Sequence, residues 1–316
     1  MSDDLMKKRH FFDHRKHMSQ GFTLVELIIA LVISLVVMSG IYAYSNSHHK
    51  SHIIQTRVNE MNQNIRVAIN SMVTEIRMAG FKTGSDGSDI MKHTASWTSD
   101  LVPDSPYTVT MNDNMVITPG STNPVDDMIT FIYGETTPTS LADAAPKDSS
   151  VLSLPLSEEE TLRRFSVGDI IYIGFGSIQP NNLEYAKIVG ISDSKLSIDT
   201  DATTPSIDDK LQFPYRSGTE VGLMKVVTYA VFNDENDPSY SEHTKNHPIL
   251  KRRCNGGSME RFVEDIESLD FEEIGDDLRI TIWARTSKPD PAYTNPDNGD
   301  HFRRRKLTST VKIRNR

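Results

Sequence analysis

An apolar run of 23 residues, from Phe22 to Tyr44, constrains this chain more than any other feature, because Glu26 is its only charged residue. As a helix, the run would be about 34 Å long at ~1.5 Å per residue, enough to cross a hydrocarbon layer of ~30 Å. Secretory signal peptides have shorter apolar regions, and helices in soluble cores are rarely apolar on every face. The run therefore predicts one transmembrane helix over residues 22–44.

The charges on either side of this helix predict its orientation. Residues 1–21 carry five Lys and Arg against three Asp, which is 5 - 3 = +2, and the rest of the chain is 29 - 40 = -11. Basic residues remain on the cytoplasmic side of a membrane segment. The N-terminus is therefore predicted to be cytoplasmic and the body extracytoplasmic.

The composition excludes several other classes of protein. With 316 residues, 37% hydrophobic and 24% charged, the chain fits neither a multi-span membrane protein nor a disordered one. Its single cysteine, Cys254, cannot form an intramolecular disulfide. The formal net charge of -9 argues against nucleic acid as the main partner.

Glu26 is the anomaly in the apolar run, because a carboxylate inside a membrane costs on the order of 2.5–3.5 kcal/mol on insertion scales. No cation lies near it within the run. Cleavage between Gly21 and Phe22 would create an α-amino group four residues before Glu26. That amine, with an ordinary pKa of ~7.7–8.0, would be largely cationic and could pair with the carboxylate of a neighbouring copy.

The motif from Gly21 to Glu26, GFTLVE, follows a short basic leader and opens the apolar helix. In this combination it resembles the type III signal of type IV prepilins and type II secretion pseudopilins. The resemblance implies cleavage after Gly21 by a prepilin peptidase, N-methylation of Phe22, and use of Glu26 in subunit assembly. It also implies a protein of the inner membrane with a periplasmic body, later incorporated into a pilus or a periplasmic pseudopilus.

A second helical pattern follows the membrane run. Apolar residues recur at spacings of three and four along one face: Ile54, Val58, Met61, Ile65, Ala68, Met72, Ile76 and Ala79. Gly80 is expected to end the helix. We interpret this stripe as packing on the chain's own sheet, with a coiled-coil stalk as the alternative.

The rest of the chain predicts a body of mostly antiparallel β-structure. Strands are expected at 128–133, 151–154, 169–174, 186–191, 195–198, 223–232, 268–272, 278–285 and 307–313. Apolar and polar residues alternate in Leu278–Arg285, and Asp193–Ser194 suits a hairpin turn. The order of elements resembles PilW-like minor pilins and is similar to pseudopilin J.

These patterns together predict an α+β, pilin-like lollipop, in which a long N-terminal helix packs on a mostly antiparallel β-sheet body. The domain prediction is a leader at 1–21, a helix at 22–80, and an extracytoplasmic body at 81–316. Within them, 22–44 is the transmembrane or fibre-core segment, and about 135–212 is an added β-rich lobe.

Histidines and acidic residues offer only weak metal motifs. His243 and His247 have the i, i+4 spacing of zinc ligands, but they lie in a polar loop without a third ligand. The oxygen-rich run at 233–237 lacks the glycine and distal glutamate of an EF-hand loop. His10, His14 and His17 belong to the leader, and His48, His49 and His52 suit the membrane interface. We predict no metal and no cofactor.

No catalytic motif emerges from the sequence. Nucleophile elbows, Walker loops and dinucleotide fingerprints do not occur. Cys254 lies beside Arg252 and Arg253, which could lower its pKa, but its surroundings resemble no thiol catalyst. The basic runs at 251–253 and 303–306 could contact phosphates, although an ordinary charged face is the simpler interpretation. Glu158, Glu159 and Glu160 are expected to form an exposed acidic patch. The chain is predicted not to be an enzyme.

The sequence favours a minor pilin of the PilW-like family that helps to initiate or prime a type IV pilus. Its expected partners are a prepilin peptidase, other minor and major pilins, the inner-membrane assembly platform and the membrane itself. One alternative is a minor pseudopilin of type II secretion, similar to pseudopilin J. Another is an uncleaved bitopic protein with an extracytoplasmic ligand-binding or enzymatic domain.

Overall fold

The computed structural model has two compact units, Met1–Gln55 and Thr56–Arg316. The described residues are 22–83, 109–112, 115–118, 128–174, 182–200, 210–233, 248–255, 257–275 and 277–313. Within them, a long helix and antiparallel β-sheets give the α+β layout that the sequence predicts.

Helix α1 comprises Leu24–Ile76 and has a different character in each unit. Residues 22–52 are all exposed in the structure. In the second unit, one face is buried against the sheets, and it consists of Met61, Ile65, Ala68, Ile69, Met72 and Ile76. This burial confirms the predicted apolar stripe from Met61 onward and adds Ile69 to it, while Ile54 and Val58 are half-buried. Because the chain's own sheets cover the stripe, the coiled-coil stalk interpretation is wrong.

The helix ends earlier than the sequence predicts. α1 ends at Ile76, and the residues up to Lys82 form turns, so the predicted helix at 22–80 is too long. The last turn tightens, because the backbone N–H groups of Met78 and Ala79 donate to carbonyls three residues back. The N–H of Gly80 then donates to the carbonyl of Ile132 at 2.9 Å, outside the helix. Gly80 adopts a φ of 77°, which favours glycine. Gly80 therefore lies four residues beyond the end of the helix, which it was expected to end directly.

The larger sheet has eleven strands, and all its pairings are antiparallel. Its strands are β1 (Val109–Asn112), β2 (Met115–Thr118), β3 (Met128–Gly134), β4 (Thr139–Ser140), β5 (Val151–Ser153), β6 (Ile170–Ile173), β7 (Glu184–Ser192), β8 (Lys195–Asp199), β9 (Glu220–Asn233), β10 (Pro248–Cys254) and β11 (Glu260–Glu264). The main path runs β1-β2-β3-β9-β6-β7-β8-β5. Strand β9 is central, because it pairs with β4 and β6 near its start and with β3 and β10 further along.

The smaller sheet contains the last three strands in the order β12-β13-β14. These strands are β12 (Ile266–Ile274), β13 (Asp277–Arg285) and β14 (Arg304–Lys312). In β13, Leu278, Ile280 and Ile282 are fully buried, while Arg279 is exposed and Trp283 is half-buried. The predicted alternation is therefore confirmed except at Thr281, which is predicted to face outward but is buried.

Two large hydrophobic clusters fill the interior. One joins α1 to strands of both sheets, and the other lies within residues 141–221, among β5, β6, β7 and β8. A smaller cluster includes the fully buried Tyr172. Gly222 must remain small there, because a Cβ at that position would lie 2.5 Å from the Tyr172 hydroxyl oxygen. The division into a body and an added lobe at about 135–212 stays a prediction.

Several elements of the structure are not among those that the sequence predicts. Helix α2 (Glu158–Arg164) is one of them, and its first turn contains Glu158, Glu159 and Glu160. These side chains are exposed, as predicted, but they also begin a helix that Ser157 caps through a capping box. Strands β1, β2, β4, β10 and β11 have no counterpart among the predicted strands. The hairpin turn at Asp193–Ser194 is confirmed, because it joins the paired strands β7 and β8.

Candidate functional site

Thr23 and Glu26 form a capping box at the first turn of α1. Glu26 Oε2 accepts hydrogen bonds from the backbone N–H and the side-chain hydroxyl of Thr23, both at 2.9 Å. In return, Thr23 Oγ1 accepts from the backbone N–H of Glu26 at 3.2 Å. This reciprocal arrangement satisfies donors that a helix start leaves open. Sequence reasoning missed the role of Thr23, although the T-x-x-E spacing signals it.

Only one oxygen of the Glu26 carboxylate is engaged in this box. Oε2 accepts both bonds from Thr23, and Oε1 has no partner in the described part of the chain. A carboxylate has acceptor positions on both oxygens. Among the described residues, Oε1 is therefore left able to accept a further hydrogen bond.

An apolar surface surrounds this carboxylate. Phe22 is 86% exposed, Leu24 is 74% exposed and Val25 is 63% exposed. α1 is the one helix among the described residues that is long and apolar enough to cross a membrane, with a mean hydropathy of 2.7 over its most apolar 18 residues. None of that stretch is buried. An exposed apolar face of this extent marks a surface for lipid or for other helices.

Several of the other candidate residues lie outside the described part of the chain. Gly21 lies outside the described residues, as do the leader histidines and the metal candidates His243 and His247. Of the run at 233–237, only Asn233 is described. His48, His49 and His52 lie exposed on α1. The described residues contain no group of three or more His, Cys, Asp or Glu placed to hold a metal ion.

A second polar cluster joins the end of α1 to the large sheet. The Glu75 carboxylate accepts from the Tyr229 hydroxyl at 2.8 Å. It also accepts from Arg252 Nη2 at 2.9 Å and from Arg252 Nε at 3.2 Å. The side chains of Glu75 and Arg252 are 26% and 27% exposed, so water screens their charges only in part. This cluster, the Glu75 clamp, fixes the helix to β9 and β10.

The Glu75 clamp perturbs the protonation of its neighbours. Burial and the Glu75 charge raise the pKa of Tyr133 to about 12. Burial opposes the charged form of Arg252, but the hydrogen bonds and charge of Glu75 together raise its pKa. Burial also raises the pKa of Cys254 and outweighs the nearby Arg252. The suggestion that the adjacent arginines lower the pKa of Cys254 is therefore wrong, because burial destabilises the thiolate more than the positive charge of Arg252 stabilises it.

Three residues of the two basic runs, Arg252, Arg303 and Arg304, are held by acidic partners inside the protein. Arg303 pairs with the buried Asp290 at 2.8 Å. Arg304 contacts both Glu267 and Asp300 at 2.6 Å. Arginines held in this way offer less charge to an external phosphate. The ordinary-face interpretation of these runs fits this arrangement.

Asp265 gives the body a testable pH dependence. The residue is buried and lies between β11 and β12. Burial, together with the negative charges of Glu264 and Glu60, raises the pKa of Asp265 to about 7, although the positive charge of Arg285 opposes this shift. An unfolded aspartate has a pKa of ~3.9, so the folded state retains a proton that the unfolded state releases. Stability should therefore fall as the pH rises from about 4 to about 7.

Asp265→Asn tests this dependence. Asparagine tolerates the positive φ of 65° at this position and carries no charge. We expect the variant to be more stable than the wild type by about 1–3 kcal/mol at pH 8, with little difference at pH 4. Urea unfolding at the two pH values measures the effect. A stability difference that does not change with pH would contradict the assignment.

Comparison with known proteins gives a family match at the N-terminus. A family model described as the prokaryotic N-terminal methylation motif matches residues 16–42, which include Gly21, Phe22 and Glu26. No curated protein and no solved structure matches the chain. The match supports a type IV pilin-like prepilin signal, found in pilins and pseudopilins. With the apolar helix, it indicates membrane anchoring.

Proposed function

We propose that this chain is a minor pilin, resembling the PilW-like family, that helps to initiate or prime assembly of a type IV pilus. The observation that carries the proposal is a prepilin motif at the start of an exposed apolar helix. In the first turn of this helix, Glu26 uses only one of its two carboxylate oxygens in the capping box. In this proposal, a prepilin peptidase cleaves between Gly21 and Phe22, and the new amino group of Phe22 is N-methylated. Residues 1–21 are then the leader.

The first turn suggests how such subunits associate. Apolar side chains from Phe22 onward pack laterally against helices of other subunits and leave lipid or water. The Phe22 amine of one subunit donates to Glu26 Oε1 of another, which neutralises both charges in an apolar surrounding. Thr23 holds Oε2 and fixes the direction of the carboxylate. A methylated amine keeps its positive charge, so N-methylation is compatible with this pairing.

The same role implies particular partners and a particular location for the chain. The helix would contact other minor and major pilins and the inner-membrane assembly platform. The N-terminus of the chain would be cytoplasmic and its body periplasmic. The chain would act without catalysis, cofactor or nucleic acid. The type II secretion pseudopilin alternative has the same assembly physics. A deletion strain separates the two, because loss of surface pili supports the pilus role and loss of secreted proteins supports the pseudopilus role.

Intact-mass spectrometry of the membrane-extracted protein tests the processing step. We expect the mass of residues 22–316 plus one methyl group in a host with an active prepilin peptidase. The control is a peptidase-deficient host, in which the chain should retain residues 1–21. A full-length chain in both hosts would contradict the proposal and favour the uncleaved bitopic protein.

A further inference from the structure

Within the second unit, the buried face of α1 packs with residues of both sheets, and the helix has two different polar flanks. One flank faces β10 and β11, where Asn64 Nδ2 donates to the carbonyl of Glu264 at 3.2 Å and Glu75 binds Arg252. The opposite flank faces β14, where Asn62 Oδ1 accepts from Arg305 Nη1 at 2.7 Å. The first flank is bounded by β10 and β11. The second is bounded by β14 alone among the described strands.

A groove of about 400 Å³ follows this second flank. Its lining is polar and cationic, and consists of Asn59, Asn62, Gln63, Arg66, Val67, Asn70 and Arg305. It contains two arginines and no carboxylate. Arg66 is exposed and makes no ion pair within the described ranges, while the hydrogen bond of Arg305 goes to a neutral amide. Val67 is 46% exposed, which adds an apolar patch to the floor.

The strand beside the groove has an open edge. β14 pairs with β13 and with no other described strand. The backbone N–H of Thr286 donates to the carbonyl of Arg303 at 2.9 Å, so odd-numbered residues of β14 direct their backbone groups towards β13. The alternate residues, including Lys306, Thr308 and Thr310, therefore direct N–H and C=O groups outward. An added strand could take up these groups.

The charge of β14 selects among possible occupants. The strand carries Arg304, Arg305, Lys306 and Lys312 and no acidic residue. Pairing with the β14 of a second copy would place like charges opposite one another, which destabilises a sheet. An acidic strand would instead meet complementary charge. Its alternate side chains would face the helix and reach the groove, because successive side chains of a strand point to opposite faces.

We propose that the open edge of β14 and the adjacent groove bind an extended acidic segment of another protein. The segment adds a strand to the small sheet, and its carboxylates pair with Arg66 and Arg305. Backbone hydrogen bonds supply affinity, and the two arginines supply the preference for acidic side chains. The proposal goes beyond the assembly function and does not depend on leader cleavage.

Fluorescence anisotropy with the full chain in detergent micelles tests this surface. The probe is a short labelled peptide that alternates Glu with Val and Thr, and the control peptide has Gln in place of Glu. At low salt, we expect the acidic peptide to bind about tenfold more tightly than the control. The double variant Arg66→Gln, Arg305→Gln should lose this preference. Equal binding of both peptides, or an unchanged preference in the double variant, would overturn the proposal.

The backbone part of the proposal needs its own variant. Thr310→Pro removes an outward N–H without breaking the ladder to β13, and should weaken binding about tenfold, while Thr310→Ala should not. If Thr310→Pro changes the circular dichroism spectrum, the wild-type protein is tested instead with an acidic peptide whose backbone nitrogens are methylated. This peptide should also bind about tenfold more weakly than the unmethylated one. Full binding of that methylated peptide, or no binding of the acidic peptide to the wild type, contradicts strand addition.

Discussion

Replacing Glu26 with Gln is expected to reduce surface pili by about tenfold or more while leaving the protein inserted in the membrane. Glutamine retains the hydrogen bonds of the capping box, because Gln serves as well as Glu at this position. It carries no charge, so it cannot neutralise the amine of a neighbouring Phe22. Insertion should remain intact or improve, because a buried carboxylate opposes it.

Thr23→Ala is the matched control for this variant. It removes the cap, at a cost of about 1 kcal/mol to the helix, but leaves the carboxylate in place. We therefore expect it to assemble far better than Glu26→Gln. Glu26→Ala loses both the cap and the charge and should assemble no better than Glu26→Gln. Comparing sheared surface fractions with membrane fractions separates assembly from insertion.

A different result for the assembly of these variants would change the interpretation of the site. Normal pili in Glu26→Gln would show that the charge is dispensable and would contradict the proposed pairing. Poor assembly in Thr23→Ala with normal assembly in Glu26→Gln would assign the site to helix capping alone. Low membrane levels of either variant would be visible in the membrane fraction, so a defect in insertion cannot be mistaken for a defect in assembly.

The sequence predicts the parts of the fold that depend on local periodicity. The helical stripe on α1 and the alternation in β13 are visible because each repeats within a few residues. The capping box of α1 is equally local, because Thr23 and Glu26 have the T-x-x-E spacing that signals it. Gly80 was predicted to stop the helix, but the carbonyl of Ile132 that accepts from its N–H lies far along the chain.

Long-range polar contacts could not be predicted in the same way. Glu75 is separated by 154 residues from Tyr229 and by 177 from Arg252, so no spacing rule connects them. Strand β10 could not be predicted either, because its residues Lys251, Arg252 and Arg253 are typical of a charged surface segment rather than of a sheet. Such residues become part of a core only when tertiary partners offset their desolvation.

The Glu75 clamp should therefore contribute strongly to the stability of the body. Glu75→Ala removes three hydrogen bonds and leaves Arg252 and the Tyr229 hydroxyl without their acceptor in a half-buried site. We expect the variant to lose about 2–3 kcal/mol of unfolding free energy. Thermal unfolding of the full chain in detergent, followed by near-ultraviolet circular dichroism, measures the loss. An unchanged melting temperature would show that water replaces the carboxylate without cost.

Two companion variants distinguish the charge from the hydrogen bonds. Tyr229→Phe retains the ion pair and the aromatic packing, so it should lose only about 1 kcal/mol. In the double variant, Glu75→Ala, Tyr229→Phe, the hydroxyl no longer lacks an acceptor, and the combined loss should be smaller than the sum of the two single losses. Strict additivity would mean that Glu75 and Tyr229 act independently. Coupling would show that the end of α1 and the centre of the sheet are stabilised as one unit.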